Sequence, residues 1–298
     1  MTNNLKGAVF IILSCGFIAA TSAIAKQLGP EGGAGLHPLQ VSFGRFLFGF
    51  LTLLPIALIT RPTFSGTKWT LHVSRSIFGW AGVSSMFAAV ALMPLAEATA
   101  ISFLSPFFTM ILAILFLGER AGPWRWGAAA VAFTGVLILT QPGTSAFQPS
   151  ALIALMAAMF MGAELTLIKR LTGTEPLLRI LLINNFIGTV ISGCAAYAFW
   201  EPVSMPQWGM LAAIGIIMVT AQSLFVRGMR LGEANYVAPF MYTTLLYAAL
   251  YGVLFFGEMP SAPTFGGAAL ILTGAAVLGW RERRAAVKEP VAIPFPDR

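Results

Sequence analysis

Two ionisable side chains interrupt long apolar stretches of the sequence, and both are of types that can carry or bind charge. Glu164 lies within the stretch 151–170, and Arg45 lies within the stretch 38–60. A carboxyl group removed from water can exchange a proton near neutral pH, whereas a guanidinium stays charged and can hold a carboxylate. Glu164 is therefore a candidate for coupling, and Arg45 for coupling or carboxylate binding.

Each of these charges also has a structural interpretation. A charge at the centre of a membrane helix costs roughly 3 kcal/mol, so such a residue usually faces the protein interior and has a function. Arg45 could instead form a structural ion pair or extend its guanidinium to the membrane surface. The helical rise separates Arg45 and Glu164 by about 10 Å in depth, so the sequence does not predict that they pair.

Aromatic, hydroxyl and amide side chains recur at depth in the other apolar stretches. Trp80 and Ser84 share one helical face, as do Thr244 and Tyr247. Such faces suit a small solute with an apolar body and polar ends. The alternative is that the rings fill the core and the hydroxyls bond back to their own helix. The candidate substrate-binding residues are Phe17, Thr21, Trp80, Ser84, Thr99, Ser102, Glu164, Gln222, Ser223, Thr244 and Tyr247.

Pro106 lies inside the apolar stretch 95–117, and Pro239 lies inside the stretch 234–256. Proline has no amide hydrogen, so it frees a carbonyl one turn earlier and kinks the helix. A freed carbonyl at membrane depth is tolerated where it faces a cavity or another protein group. Both prolines are predicted helix kinks.

The elements that position these residues are membrane-spanning helices. The chain is 57% hydrophobic and only 10% charged, and its mean hydropathy is +0.82. A spanning helix needs about 20 mostly apolar residues. We therefore expect an all-α polytopic membrane protein, in contact with the lipid bilayer. The ten predicted spans are 5–26, 38–60, 70–92, 95–117, 124–140, 151–170, 177–199, 207–228, 234–256 and 263–280.

The basic residues predict the orientation of these spans. With the N-terminus inside the cell, nearly all Lys and Arg, including Arg75 and Arg179, fall in cytoplasmic loops and ends. Only Lys26 then falls at the outer surface, which is the asymmetry of the positive-inside rule. The sequence therefore predicts cytoplasmic N- and C-termini.

The second half of the sequence repeats the first. Gly118-Glu119 recurs as Gly257-Glu258, Thr134-Gly135 as Thr273-Gly274, and His37-Pro38-Leu39 aligns with Glu175-Pro176-Leu177. Each half contains five spans, so the two halves must enter the membrane from opposite sides, as inverted repeats do in transporters. The predicted units are a first five-helix repeat at 1–141, a second, inverted repeat at 142–284 and a cytoplasmic tail at 285–298.

Other chemistries have little support in the sequence. The only aspartate is Asp297, the two histidines are not in a zinc-protease motif, and neither a nucleophile elbow nor a nucleotide-binding loop is present. These absences favour a transporter over an intramembrane enzyme. We expect no catalytic residue, metal site, cofactor, nucleic acid or obligate protein partner.

Ten spans in two halves, with Gly-Glu closing the fourth span of each, resemble the drug/metabolite transporter superfamily. The segments 115–135 and 254–274 match the closing pattern of its EamA branch, and the whole chain is most similar to bacterial YddG-type exporters. The resemblance implies a central cavity lined by spans 1, 3, 4, 6, 8 and 9 and opened alternately to each side. It also implies export of aromatic or other amino acids across the inner membrane. A broad drug, metabolite or lipid-precursor transporter of the same fold is the alternative, and proton coupling and facilitated diffusion both stay open.

Overall fold

The computed structural model describes residues 3–30, 32–117, 122–144, 148–172, 175–231 and 238–288. Within these ranges the secondary structure is entirely helical. The helices, numbered in chain order with a single 3-10 turn before α10, are α1 (Asn3–Leu28), α2 (Pro38–Thr60), α3 (Trp69–Val90), α4 (Leu95–Ser102), α5 (Ser105–Leu117), α6 (Pro123–Thr140), α7 (Ser150–Thr172), α8 (Leu177–Tyr197), α9 (Met205–Leu231), the 3-10 helix (Ala238–Tyr242), α10 (Thr243–Phe256) and α11 (Ala262–Lys288).

Each predicted span coincides with helical structure, which confirms the all-α membrane fold. Among the described residues, six helical segments are long and apolar enough to cross a membrane: Asn3–Leu28, Pro38–Thr60, Leu95–Leu112, Ser150–Ile168, Leu177–Tyr197 and Met205–Leu231. Large apolar side chains also cover the outside of the bundle, with Ile59 exposed by 82%, Leu58 by 67% and Phe255 by 67%. Exposed apolar surface on this scale is explained by contact with lipid.

Spans 4 and 9 are each divided into two pieces. Span 4 is interrupted at Phe103 and Leu104, whose amides reach only to Ala100 and Ile101, and Pro106 is the second residue of α5. A proline is tolerated there because the first turn of a helix has no intrahelical use for its amide hydrogen. In span 9 the 3-10 helix, which contains Pro239, precedes α10.

The last helix is longer than the sequence analysis predicts. It continues to Lys288, past the start of the predicted tail at 285, and residues 289–298 lie outside the described residues. Gly118-Glu119, the first copy of the Gly-Glu motif, also lies outside them.

The helix contacts follow a two-fold relationship between the halves. α1 packs on α9 as its counterpart α7 packs on α3, and α1 contacts α10 as α7 contacts α5. α2 packs on its own counterpart α8, and α6 on its own counterpart α11. α1 and α7 run in opposite directions. Lys26 near the end of α1 bonds to Val90 at the end of α3, whereas Glu175, just after α7, bonds to Lys68 at the start of α3.

Glycine allows the backbones of α6 and α11 to approach closely. A Cβ on Gly135 would lie 2.6 Å from the Gly267 carbonyl oxygen, and a Cβ on Gly274 would lie 2.6 Å from the Ala128 carbonyl oxygen. Small residues at such contacts are typical of membrane helix pairs. Around Gly127 and Gly266, in contrast, no described atom lies within 4 Å of the Cβ position.

Candidate substrate-binding site

An ion pair inside the bundle, between Arg75 and Glu164, connects α3 to α7. Arg75 Nη2 lies 3.0 Å from Glu164 Oε1, and the two side chains are 3% and 23% exposed. The Glu164 carboxyl group lies against Gly79, because a Cβ on that residue would be only 3.0 Å from it. The pairing of Glu164 with Arg75 supplies a counter-charge that the sequence analysis did not consider.

The assignment of Arg75 to a cytoplasmic loop or end was wrong. The residue is 2% exposed inside α3. By the helical rise, Arg75 lies about 9 Å from the start of α3 and Glu164 about 12 Å from the end of α7, at the same end of the bundle. The sequence signal that could have identified the pair is the similar depth of two opposite charges, Arg75 in span 3 and Glu164 in span 6.

Arg45, on α2, is a further buried charge. It is 5% exposed, and its guanidinium carbon lies 4.4 Å from the centre of the Phe46 ring. The charges of Glu164 and Arg75 both act on it. We call Arg45, Arg75 and Glu164 the charge cluster; it contains two positive groups and one negative group.

The charge cluster occupies only one of two symmetry-related places in the bundle. The alignment of the halves places Ile183 opposite Arg45 and Thr21 opposite Glu164, and the register of Leu95 with Leu231 places Leu211 opposite Arg75. Ile183, Leu211 and Thr21 are 4%, 1% and 4% exposed. The fold therefore fills the equivalent place in the other repeat with uncharged side chains.

Several buried polar atoms of α2, α3 and α8 have no hydrogen-bond partner in the described part of the chain. Leaving such an atom unpaired costs about 1–3 kcal/mol, and most buried polar groups in proteins are paired. These atoms are Arg45 Nη1, His72 Nδ1, Arg75 Nε and Nη1, Ser76 Oγ, Trp80 Nε1, Arg179 Nε and Asn184 Oδ1.

A cavity of about 590 Å³ lies between the start of α2, the second half of α3 and α7, and of the residues with these unpaired atoms Trp80 lines it. Trp80 and Ser84 line it from α3, Phe160 from α7 and Pro38 from the start of α2. Phe160 lies one helical turn before Glu164 in the sequence. The Ser84 hydroxyl donates to the Ser42 hydroxyl across the helix contact, at 2.8 Å. Trp80 and Ser84 thus line one cavity, whereas Glu164, which contacts Arg75 and Gly79, is not among the described residues that line it.

A second group of predicted residues lies on α1, α9 and α10. The Tyr247 ring lies against Gly16, where a Cβ would be 3.3 Å from it, and it neighbours Tyr251 at 6.1 Å between ring centres. Phe17 is 36% exposed, and Gln222 is half-buried. A cavity of about 400 Å³ is lined here by Tyr251, Phe255, Met210 and residues of α1.

Most of the predicted hydroxyls bond to their own helix, as the alternative interpretation stated. Among the predicted serine and threonine hydroxyls, Ser84 is the exception, because it donates to Ser42 on the neighbouring helix. The hydroxyls that donate to carbonyls three or four residues earlier are those of Thr21, Thr99, Ser102, Ser223 and Thr244.

The two helix breaks meet inside the bundle. The rings of Phe103, at the break in span 4, and Tyr242, at the end of the 3-10 helix, lie 5.5 Å apart between their centres. α4 and α10 are also packed against each other. Broken helices at corresponding positions of two inverted repeats are the arrangement in which transporters form substrate sites.

Polar networks hold both ends of the bundle. Lys26, predicted at the outer surface, is buried at the end of α1 with 4% exposure and pairs with Glu258 at 2.8 Å. At the opposite end, Glu175 accepts from the Lys68 amide at 2.9 Å and contacts His72 Nε2 at 2.8 Å. Arg179, also assigned to a loop, is 7% exposed beside Glu175.

The family profile described as the EamA-like transporter family matches residues 5–141 and 148–280 of this chain. An S-adenosylmethionine uptake transporter of Rickettsia bellii is 27% identical, over 95% of this chain and 96% of the relative. A riboflavin transporter of Rhizobium johnstonii is 33% identical over 82% of each chain, and a pseudopaline exporter of Pseudomonas aeruginosa is 26% identical over 92% of this chain and 96% of the relative. One solved crystal structure superposes with a TM-score of 0.60 at 21% identity, covering 95% of this chain and 98% of the other, and shows the fold alone.

Proposed function

Because the chain belongs to the EamA-like transporter family and is a membrane transporter rather than an enzyme, we propose that it moves small amphipathic metabolites by alternating access. The proposed substrates are aromatic or other amino acids and their derivatives. The proposed direction is export across the bacterial inner membrane.

The observation that carries this proposal is the charge cluster, whose Arg75 lies between one and two helical turns before Trp80 on α3, where the cavity begins. Ionisable residues within membrane segments mark substrate or ion pathways by default, because burying them is unfavourable without a function. Here the paired Arg75 and Glu164 lie next to Arg45 and near an aromatic side chain. Such a site can hold both charged ends of an amino acid and one face of its apolar body.

The meeting of the two helix breaks supports the alternating-access part of the proposal. The Phe103–Tyr242 contact lies where corresponding elements of the two repeats cross. Movement of one repeat against the other would turn about this crossing while the substrate site stays near the centre. Pro106 and Pro239 are proposed to keep these breaks in place.

The relatives favour metabolites of this size and extend the range of candidates. S-Adenosylmethionine carries an amino-acid head and an aromatic base, and riboflavin carries an aromatic ring system. One relative is named for uptake and another for export, so export rests on the sequence resemblance to YddG-type exporters. A broader drug, metabolite or lipid-precursor transporter of the same fold is the alternative.

We also propose that both chain ends face the cytoplasm and that the repeats divide at residues 1–141 and 142–284. Three residues no longer support the charge argument, since Lys26, Arg75 and Arg179 are buried. The other basic residues at the end where α9 stops, among them Lys6, Arg61 and Arg227, still favour this orientation. Reporter fusions at residues 1 and 298 would test it, and an outer signal from either would contradict it.

A counterflow screen in proteoliposomes tests the proposed function directly. Vesicles with the purified full-length protein would be loaded with unlabelled amino acids, nucleosides, riboflavin, S-adenosylmethionine, lipid precursors or dyes, and exchange of the labelled compound measured. We expect exchange of at least one amino acid or amino-acid derivative. Exchange of dyes or lipid precursors alone would favour the alternative function.

Matched variants connect that screen to the proposed site. Trp80→Ala and Tyr247→Ala are expected to lower exchange about tenfold or more, because each loses aromatic contacts to the substrate. Trp126→Ala is the control, since Trp126 lies on α6 and is 52% exposed. Unchanged exchange by the first two variants, with normal yield in the membrane, would contradict these site assignments.

A further inference from the structure

The charge cluster has a net positive charge that the described residues leave uncompensated. Arg45 and Arg75 are 5% and 2% exposed, and Glu164 is the acidic group that acts on both of them. A buried charge is unfavourable unless an opposite charge or good hydrogen bonds accompany it. An anionic group bound beside Arg45 and Arg75 would neutralise the cluster.

The free hydrogen-bond donors lie on the same two arginines. Arg75 directs Nη2 to Glu164, which leaves its Nε and Nη1 without a partner, and Nη1 of Arg45 is also unpaired in the described part of the chain. A carboxylate has two oxygens with about four acceptor sites. The unpaired Ser76 hydroxyl and Trp80 indole N–H, on the same helix as Arg75, add two more donors.

The two-fold relationship argues against a purely structural role for these charges. The equivalent helix contacts in the other repeat are filled by Ile183, Leu211 and Thr21, which are buried. The fold thus packs these positions without charge. The place that contains Arg45, Arg75 and Glu164 differs from its uncharged equivalent in that it can bind a charged group.

We infer that Arg45 and Arg75 form a carboxylate-binding subsite, and that Glu164 beside it receives the ammonium group of the same substrate. This inference rests on the proposed transport function and narrows it to zwitterionic amino carboxylates. Glu164 is the most exposed member of the cluster, at 23%, so the ammonium lies on its accessible side. The apolar body of the substrate then extends into the cavity of Trp80 and Phe160.

Matched ligand pairs test the subsite in the purified full-length protein. The probes are L-tryptophan with L-tryptophanamide, S-adenosylmethionine with methylthioadenosine, and riboflavin, which has no carboxylate. Binding would be measured from the thermal shift in detergent and transport from counterflow. We expect the carboxylate member of a pair to bind about 10- to 100-fold more tightly, the range of hydrogen bonds to charged groups.

The variant Arg45→Ile introduces the residue that the other repeat has at this place. We expect this variant to bind the carboxylate ligand about 10- to 100-fold less tightly and to bind the amide ligand with unchanged affinity. The variant would then no longer discriminate between the two ligands. Ser76→Ala is a second variant that keeps all charges. It is expected to lower the affinity for the carboxylate ligand and to leave the affinity for the amide unchanged. It keeps the test valid should Arg45→Ile fail to fold.

Three outcomes separate the subsite from the transport function. Loss of discrimination in Arg45→Ile supports the subsite. Suppose that a panel compound is transported, that its affinity does not depend on its carboxylate, and that neither variant changes that affinity. This result would overturn the subsite while the transport function stands. Absence of binding and transport for the whole panel would overturn both.

Discussion

The ammonium group of Lys26 and the carboxylate of Glu258 lie 2.8 Å apart, with the two side chains 5% and 19% exposed. Lys26 also donates to the carbonyl oxygens of Val90 and Met93 at 3.0 and 2.8 Å. The other oxygen of Glu258 accepts from the amide of Leu95 at 2.8 Å. One ion pair therefore connects the ends of α1, α3 and α10 with the start of α4.

Removing one member of this pair is expected to destabilise the protein strongly. Lys26→Met leaves the Glu258 carboxylate without its cation, and breaking a buried pair in this way costs about 3–5 kcal/mol. We expect a markedly lower Tm in detergent. Lys68→Met is the control, because the Lys68 side chain is exposed.

A double variant separates the pair from other effects of the substitution. Lys26→Met combined with Glu258→Leu removes both charges, and apolar replacement of a whole buried pair is often nearly neutral. The double variant is therefore expected to recover much of the lost Tm. Additive losses in the double variant would show that the ion pair is not what stabilises this end.

Glu164 is expected to determine the pH dependence of transport, if it carries the coupling proton. Its carboxylate forms an ion pair with Arg75 and interacts electrostatically with Arg45. Glu164→Gln keeps the shape of the side chain but cannot take up or release a proton, so any pH dependence of uptake that Glu164 carries should be absent in the variant. The control is Glu201→Gln, whose side chain is exposed after α8. Parallel pH profiles for Glu164→Gln and the unmodified protein would favour facilitated diffusion.

The contact between α6 and α11 is expected to be intolerant of a single methyl group. Gly135→Ala would bring its Cβ within 2.6 Å of the Gly267 carbonyl oxygen, and overpacking of this kind costs about 1–3 kcal/mol. The Tm of Gly135→Ala should therefore fall.

Gly127→Ala, in the same helix, is the matched control for that substitution. No described atom lies within 4 Å of its Cβ position, and alanine in a helix interior is about 0.5–1 kcal/mol more favourable than glycine. Its Tm should stay the same or rise slightly. Equal losses in both variants would contradict the proposed close contact.

His37 is expected to make stability depend on pH outside the membrane spans. Its Nδ1 accepts from the Leu39 amide at the start of α2, at 3.3 Å, and its ring stacks on Phe199 at 4.5 Å. Burial lowers the pKa of His37 below 6.5, so the unfolded chain binds the proton first as the pH falls. The stability from neutral His37 is complete above about pH 6.5 and is lost as the pH falls toward the lowered pKa.

Substitution by asparagine isolates this effect. Asn caps a helix without titrating, so His37→Asn should keep the helix start and lose the decrease in Tm that His37 causes below about pH 6.5. Tm measured across this range in both proteins checks the prediction. Identical decreases would assign the pH dependence to another group.

The membrane helices were predictable because their signal is local. A run of apolar residues is long enough to cross a bilayer whatever surrounds it, so spans such as Pro38–Thr60 followed from composition alone. The inversion of the repeats also followed, since five spans in each half leave no other possibility.

The partners of the charges were not predictable in the same way. Lys26 and Arg75 looked like residues of loops and ends because the positive-inside rule treats each basic residue separately. Their acidic partners, Glu258 and Glu164, lie far along the chain. Only the packing of helices from opposite halves brings each pair together.

The sequence by itself determined that this is a two-fold, ten-span membrane protein with charged and aromatic residues at depth, because hydropathy and repetition are properties of the chain. The tertiary structure decided which of those residues meet. It placed Arg75 beside Glu164, near Arg45, and left the equivalent place of the other repeat uncharged. A buried charge is stabilised by what surrounds it in space, and those surroundings exist only once the two halves have packed together.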